Sequence, residues 1–316
     1  MTIYVSLQSQ KMNQGHRRRL EHALAGNRLI VGEELPDDEA RRRAVIEADI
    51  VFGNPSLAWL EAAPKLRWVQ LDSAGVDAYL KLAAAGRVAL TNLAGFYDRA
   101  VSECALAGML AYYRQIPALG AAQRERSWIK EEISPMIGQL HGARIVILGA
   151  GGIGRRLASV LAPFETEVKI YARHSPEAGL NTVEALDSAL AAADILVNTL
   201  PHTPQTAGFL DRSRFERLKV GALFVNVGRG SAVDESALLD ALDRGQVGGA
   251  VLDVTAVEPL PAASPFWAHP RVLLTQHTGG RFPAETDRKL DVFLENFRRL
   301  ERGERLEGLI DAGRGY

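Results

Sequence analysis

The sequence predicts an α/β protein of two domains, each built on a parallel sheet. Three observations carry this. The chain has 316 residues, more than one hydrophobic core commonly organises. Short apolar runs alternate with stretches of helical spacing almost throughout. A glycine-rich turn joins one of the apolar runs to a helix. The hydrophobic fraction of 47% and charged fraction of 24% are those of an ordinary globular chain.

Residues 3–7, 50–52, 68–71 and 88–91 read as strands, separated by helical patterns over 17–25, 39–48, 57–62 and 78–85. A long apolar helix is predicted over 98–114. Strand patterns follow at 145–148, 168–171, 195–199, 223–227, 250–253 and 272–275, with helices between most of them, for example 155–161 and 235–244. Six strands in βα order fit a Rossmann-type sheet. An amphipathic helix over 284–302 follows. No repeat or low-complexity linker separates the two series, so structured crossings join them.

Charge and cysteine usage exclude several classes. A formal net charge of -1 gives no broad pull toward nucleic acid or an anionic membrane. The runs Arg17-Arg18-Arg19 and Arg41-Arg42-Arg43 have acidic neighbours and read as solvated helix faces. The single cysteine, Cys104, permits no intrachain disulfide, fits a reducing compartment, and reads as a small buried hydrophobe within an apolar run. The N-terminus reads as a strand without a signal core, and no apolar stretch reaches the roughly 18 residues that span a bilayer. A cytoplasmic protein is expected. No cluster has metal-ligand spacing, and His16, His22, His141 and His269 read as surface or loop residues.

Gly149-Ala150-Gly151-Gly152-Ile153-Gly154 matches G-x-G-x-x-G. The pattern alone is weak, but here it follows the apolar run 145–148 and opens a helix, the context a dinucleotide site requires. Gly149 permits the tight turn, Gly151 lets the backbone approach a pyrophosphate, and Gly154 lets helix pack on strand. The N–H groups at the helix start hold phosphates. An NAD site would place an acid at the end of the next strand, about 20 residues on. That strand ends in Ala172-Arg173-His174-Ser175 instead. Arg173 suits a 2′-phosphate, Ser175 can donate to it, and His174 can stack on adenine or add a donor. NADP is therefore preferred over NAD, against the plainer reading of a loop arginine facing water.

Arg229 lies between Gly228 and Gly230 at the end of an apolar strand, where parallel sheets face their ligands. It offers a fork to a carboxylate, or it is a salt-bridged structural arginine. Asp253-Val254 and Glu258-Pro259 follow the next strand, and His277-Thr278-Gly279-Gly280 the one after. Histidine shuttles protons near neutral pH, and a carboxylate orients it. Any one of these residues has a structural reading, but arginine, glutamate and histidine at successive strand ends point to one site.

Asp72-Ser73-Ala74-Gly75-Val76-Asp77, Thr91-Asn92-Leu93-Ala94-Gly95, the glycine turn, the stretch Leu200-Pro201-His202-Thr203-Pro204-Gln205-Thr206, Val227-Gly228-Arg229-Gly230, Leu252-Asp253-Val254, Glu258-Pro259 and His277-Thr278-Gly279-Gly280 occur in that order. Together they resemble the D-isomer-specific 2-hydroxyacid dehydrogenases, which include glyoxylate/hydroxypyruvate reductases, phosphoglycerate dehydrogenase and D-lactate dehydrogenase. The resemblance implies that Arg229 binds the substrate carboxylate and keto oxygen. It makes His277 the general acid or base, and gives Glu258 the role of holding His277 and raising its pKa. It implies that Asp253 binds the nicotinamide carboxamide, and that backbone N–H groups of Ala74, Gly75 and Val76 hold the carboxylate. Leu200, Pro201, Thr206, Val227, Gly228, His277 and Gly279 would line the cofactor beside Gly152 and Ile153.

The resemblance further implies Rossmann-like, flavodoxin-like parallel sheets with an active-site cleft between them. A substrate domain of 1–92 plus 283–316 would flank a nucleotide domain of 93–282, and a homodimer would form through the helix at 98–114. Three departures stand out: Ala94 and Gln276 where proline is usual, and Arg281-Phe282 where smaller residues are common. An NADPH-dependent 2-ketoacid reductase is the expected function. The alternative is a dinucleotide-sensing, corepressor-like interaction protein on the same fold.

Overall fold

The computed structural model describes residues 1–7, 12–173, 175 and 178–313. The chain divides into two compact units, Met1–Phe96 with Phe282–Tyr316, and Tyr97–Arg281.

The first unit holds β1 (Thr2–Ser6), β2 (Arg28–Val31), β3 (Ile50–Gly53), β4 (Trp68–Gln70) and β5 (Ala89–Thr91) in one parallel sheet of order β2-β1-β3-β4-β5. Its helices are α1 (Gln14–Ala23), α2 (Asp38–Ile46), α3 (Leu57–Glu61), α4 (Leu80–Ala84) and the C-terminal helix Glu285–Arg302. The central strands are apolar on both faces because both faces are covered. Tyr4, Val51 and Val69 pack with Val45 of α2 and Leu60 of α3. On the other face Ile3, Val5, Phe52 and Trp68 pack with Leu20 of α1 and Phe293 of the C-terminal helix. The Phe293 ring stacks on Phe52 at 4.6 Å and on Trp68 at 5.2 Å. Asn13 and Asp37 cap α1 and α2 through bonds from His16 N and Ala40 N. β2, at the sheet edge, is a strand beyond those the sequence predicts.

The second unit begins with α5 (Asp98–Tyr113), α6 (Ile116–Arg124) and α7 (Lys130–Ile133). A parallel sheet follows, with β6 (Arg144–Leu148), β7 (Glu167–Tyr171), β8 (Ile195–Asn198), β9 (Ala222–Asn226), β10 (Val247–Leu252) and β11 (Val272–Leu274) in the order β11-β10-β9-β8-β6-β7. Its crossover helices are α8 (Gly152–Leu161), α9 (Val183–Leu190), α10 (Arg212–Arg217) and α11 (Glu235–Asp243). The order reverses at β6, with β7 on one side and β8 on the other. A ligand crevice opens at such a switch point, outside the carboxyl ends of the strands. α5 lies so close to β10 that a Cβ on Gly108 would fall 2.5 Å from a Val251 methyl. Among the described residues, no helix is long and apolar enough to cross a membrane.

Candidate active site at the carboxyl ends of the second sheet

The glycine turn sits at the switch point, between β6 and α8. Gly149 has φ 107°, a left-handed conformation closed to most side chains. A Cβ on Gly154 would fall 2.1 Å from Gly149 O, so helix and strand touch backbone to backbone. A Cβ on Gly151 would meet nothing within 4 Å, so that face of the turn is open. Gly151 caps α8 without a side-chain bond, and the first turn of the helix carries no acid. Its N–H groups and dipole therefore suit a diphosphate. The Asp98 carboxyl packs against Gly152, where a Cβ would fall 1.8 Å from its Oδ2; burial pushes its pKa up.

Beyond β7, Arg173 is exposed, while the Ser175 Oγ is buried without a hydrogen-bond partner. An orphaned buried hydroxyl and an exposed guanidinium are thus the polar groups at this strand end. His174, expected here as a third contact, lies outside the described residues.

Two buried asparagines organise the middle of the sheet. Asn198 Nδ2 donates to Asn226 Oδ1 at 2.9 Å. Asn198 Oδ1 accepts from Leu200 N, and Asn226 Oδ1 accepts from Gly228 N. The two side chains thus shape the loops that carry Leu200, Pro201, Val227, Gly228 and Arg229. Thr206 Oγ1 donates to Pro201 O at 2.6 Å and closes its loop. His202 Nδ1 bonds Ser231 Oγ at 2.7 Å. The glycines around Arg229 follow from crowding. A Cβ on Gly228 would fall 2.8 Å from Leu200 O, and one on Gly230 would fall 1.9 Å from Thr255 C. Arg229 is half-buried, and its Nη1 donates to Gly228 O at 2.8 Å.

The loops after β10 and β11 converge. Glu258 Oε1 accepts from Thr255 N at 3.0 Å, and its Oε2 lies 2.6 Å from His277 Nδ1. With Glu258 ionised, Nδ1 carries the proton it donates. Gln276 and His277 both have left-handed backbones, φ 52° and 54°. Asp253 enforces this turn. Its carbonyl accepts from His277 N at 2.6 Å, and its Oδ1 accepts from Thr275 Oγ1 at 2.5 Å and from Thr278 N and Gly279 N at 3.1 Å. The Gln276 departure from proline now has a physical correlate, because a pyrrolidine ring cannot reach φ 52°.

Sequence reasoning missed three contributors. Glu235 accepts from Ala256 N at 2.7 Å and props up the Glu258 loop; burial first, and then the Glu258 charge, push its pKa up. Thr275 holds Asp253. Cys104 is half-buried, not buried as expected, and lies within 3.8 Å of Thr275 Oγ1; burial and the Asp253 charge raise its pKa. None of these contacts leaves a local signature, since each joins segments distant in sequence. A separate hollow of about 330 Å³, lined by Tyr113, Gln139, Asp194, Lys219 and Gly221 among others, lies at the amino ends of the strands and holds none of the candidate residues.

Ala74, Gly75 and Val76 belong to the first unit, in the loop between β4 and α4. Their carbonyls are all engaged: Ala74 O by Asn92 Nδ2 at 2.8 Å, Gly75 O by Ser73 Oγ at 2.8 Å, and Val76 O by Tyr79 N at 2.8 Å. Among the described residues no group of three or more histidine, cysteine or acidic side chains is placed to hold a metal ion.

Comparison with known proteins places these features in company. Residues 106–279 match the family model for the NAD-binding domain of D-isomer-specific 2-hydroxyacid dehydrogenases. A glyoxylate/hydroxypyruvate reductase A from Yersinia enterocolitica is 36% identical over 221 residues, 68% of each chain. The crystal structure of a D-isomer-specific 2-hydroxyacid dehydrogenase family protein from Aeromonas salmonicida superposes with a TM-score of 0.84 at 34% identity, covering 98% of this chain and 99% of that one. An NADPH-dependent glyoxylate/hydroxypyruvate reductase from Sinorhizobium meliloti, solved with NADP and sulfate, superposes with a TM-score of 0.84 at 27% identity over 99% of both chains.

Proposed function

This chain belongs to the D-isomer-specific 2-hydroxyacid dehydrogenases, which are oxidoreductases, and we propose that it reduces a small 2-keto acid of the glyoxylate or hydroxypyruvate type with NADPH. The observation that carries the reading is the 2.6 Å contact of Glu258 with His277 Nδ1, on loops that leave adjacent parallel strands one strand away from Arg229. NADPH is favoured by Arg173, by the unpartnered Ser175 hydroxyl and by the bound NADP of the Sinorhizobium relative.

The turn Gly149–Gly154 and the loops bearing Leu200, Pro201, Thr206, Val227, Gly228 and Gly279 hold the dinucleotide, and Asp253 accepts from its carboxamide. When bound, the nicotinamide supplies a hydride to C2 of the keto acid. His277 Nε2 gives the proton that turns the keto oxygen into a hydroxyl. Glu258 fixes the ring for that transfer from the opposite nitrogen and balances the positive charge of the protonated ring. Arg229 pairs with the carboxylate and polarises the keto group. In the first unit, the N–H groups of Ala74, Gly75 and Val76 would serve as donors for a substrate carboxylate. The proposal includes a D configuration of the product, a cytoplasmic site of action and a homodimer through the second unit, the last checked by sedimentation.

The test is steady-state reduction of glyoxylate, hydroxypyruvate, pyruvate and phenylpyruvate with NADPH and with NADH. Turnover favouring NADPH is expected, and Arg173→Ala should lower kcat/KM for NADPH at least tenfold while sparing NADH. Equal loss with both cofactors would remove the 2′-phosphate role. Silence on all four acids would sink the substrate class.

A further inference from the structure

The C-terminal helix buries a lysine. Lys289 has no solvent-exposed side-chain surface, and its Nζ lies 2.6 Å from Asp72 Oδ1, 2.7 Å from Glu285 Oε1 and 3.4 Å from Asp72 O. The two acids are as deeply buried, at 1% side-chain exposure each. The position lies on the helix face that also buries Leu290, Phe293 and Phe297, so a leucine or methionine would pack there. Buried ion pairs are weak sources of stability, because desolvation offsets their attraction, and apolar replacements of a whole cluster are often neutral or stabilising. The cluster therefore calls for a reason other than stability.

Its position supplies one. Asp72 is the residue at which the chain enters the loop 73–76. The carbonyls of five consecutive residues are tied into the first unit. Asp72 O takes Lys289 Nζ, Ser73 O takes Leu93 N at 3.0 Å, Ala74 O takes Asn92, Gly75 O takes Ser73 Oγ, and Val76 O takes Tyr79 N. The N–H groups of Ala74, Gly75 and Val76 have no protein acceptor among the described residues. Asp72 N is itself fixed by Asn54 Oδ1 at 2.9 Å. A row of amides with its carbonyls pinned is a pre-set anion cradle, and binding then costs little reorganisation.

We propose that Lys289 is a positioning residue for this loop: by clamping Asp72 through side chain and carbonyl it sets the register of the Ala74–Val76 amides, and so governs affinity for the substrate carboxylate without touching it. This rests on the loop's proposed role in carboxylate binding. Supporting side chains of this kind fix groups that must hold tight geometry.

The test is the charge-free variant Asp72→Asn/Glu285→Gln/Lys289→Met, beside the single Lys289→Met and, separately, Ala74→Pro. Ala74 is exposed, so a ring there meets solvent while removing one amide donor. The readouts are the KM for glyoxylate with NADPH, the kcat, the Kd for oxalate on the NADP-loaded protein, the Kd for NADPH and the melting temperature. The triple variant should fold, raise KM and the oxalate Kd about tenfold, change kcat less than threefold and leave NADPH binding unchanged. Lys289→Met, which removes the buried cation but keeps both acids, should melt earlier and move KM the same way. A folded triple variant with wild-type KM and oxalate Kd would overturn the inference, provided Ala74→Pro raises both. If Ala74→Pro changes neither, the loop reading fails and takes the inference with it. A triple variant that does not fold would also overturn it, since the charges would then serve the unit itself.

Discussion

Glu258 grips two loops at once: one carboxylate oxygen lies 2.6 Å from His277 Nδ1 and the other accepts the Thr255 amide of its own turn. Removing its charge while keeping its shape should separate the two jobs. Glu258→Gln is expected to lower kcat by about 10- to 100-fold with an unchanged Kd for NADPH, and His277→Gln by about 10²–10⁴-fold. The double variant should be little worse than His277→Gln, because the two act as a unit. Additive losses would show that Glu258 acts elsewhere.

The glycine turn offers a split between folding and binding. Gly154→Ala drives a methyl to 2.1 Å from Gly149 O and should lower the melting temperature markedly. Gly151→Ala meets no protein atom within 4 Å and should leave the apo protein's melting temperature within about a degree, yet weaken NADPH at least tenfold. A Gly151→Ala protein that binds NADPH normally would place the diphosphate elsewhere.

Gln276 should accept glycine and reject proline. At φ 52° a glycine relieves backbone strain of about 1 kcal/mol, whereas proline cannot take that angle. Gln276→Gly is expected to keep activity within a few-fold. Gln276→Pro should lower kcat by misplacing His277, with NADPH binding retained. An active proline variant would mean that the loop has a second conformation.

Asp194 gives the second unit an acid-sensitive brace. Burial opposes its ionisation, but Lys219 Nζ at 2.5 Å and Arg144 N at 2.8 Å outweigh burial and lower its pKa. A carboxyl with a lowered folded-state pKa stabilises above its unfolded value, near 3.9, and loses that contribution as pH falls through the folded-state value. Asp194→Asn should therefore cost about 1 kcal/mol at pH 7, seen by urea unfolding, and the gap from wild type should narrow below about pH 4. A gap that does not change with pH would assign the loss to packing.

The parts of this molecule written in local pattern were legible in its sequence. β6, β8 and β9 are buried on both faces and read as unbroken apolar runs, and the glycine turn announces itself by its flanks. Arg229, Glu258 and His277 were visible because each follows a strand end. β2 was not legible: its run Arg28–Val31 is a sheet edge, only Val31 is buried, and the apolar stretch is three residues long. Glu235, Asn198 and Lys289 were equally silent. Each has a defining partner far along the chain, from 21 residues away for Glu235 to 217 for Lys289, and a lysine on an amphipathic helix looks solvated until the fold seals it.

The first unit is made of two pieces of chain, Met1–Phe96 and Phe282–Tyr316. During synthesis its five strands emerge early, complete by Thr91, but Leu290, Phe293 and Phe297, which close one face of that sheet, emerge about two hundred residues later. At ~5–20 residues per second, Ile3, Phe52 and Trp68 wait roughly 10–60 s for their cover, while the second unit is translated as one uninterrupted stretch. A nascent chain stopped at Arg281 is thus expected to show a protease-resistant second unit and a digestible first one. The strands of the first unit precede the second unit in the chain, yet their sheet is covered only after the second unit has been made.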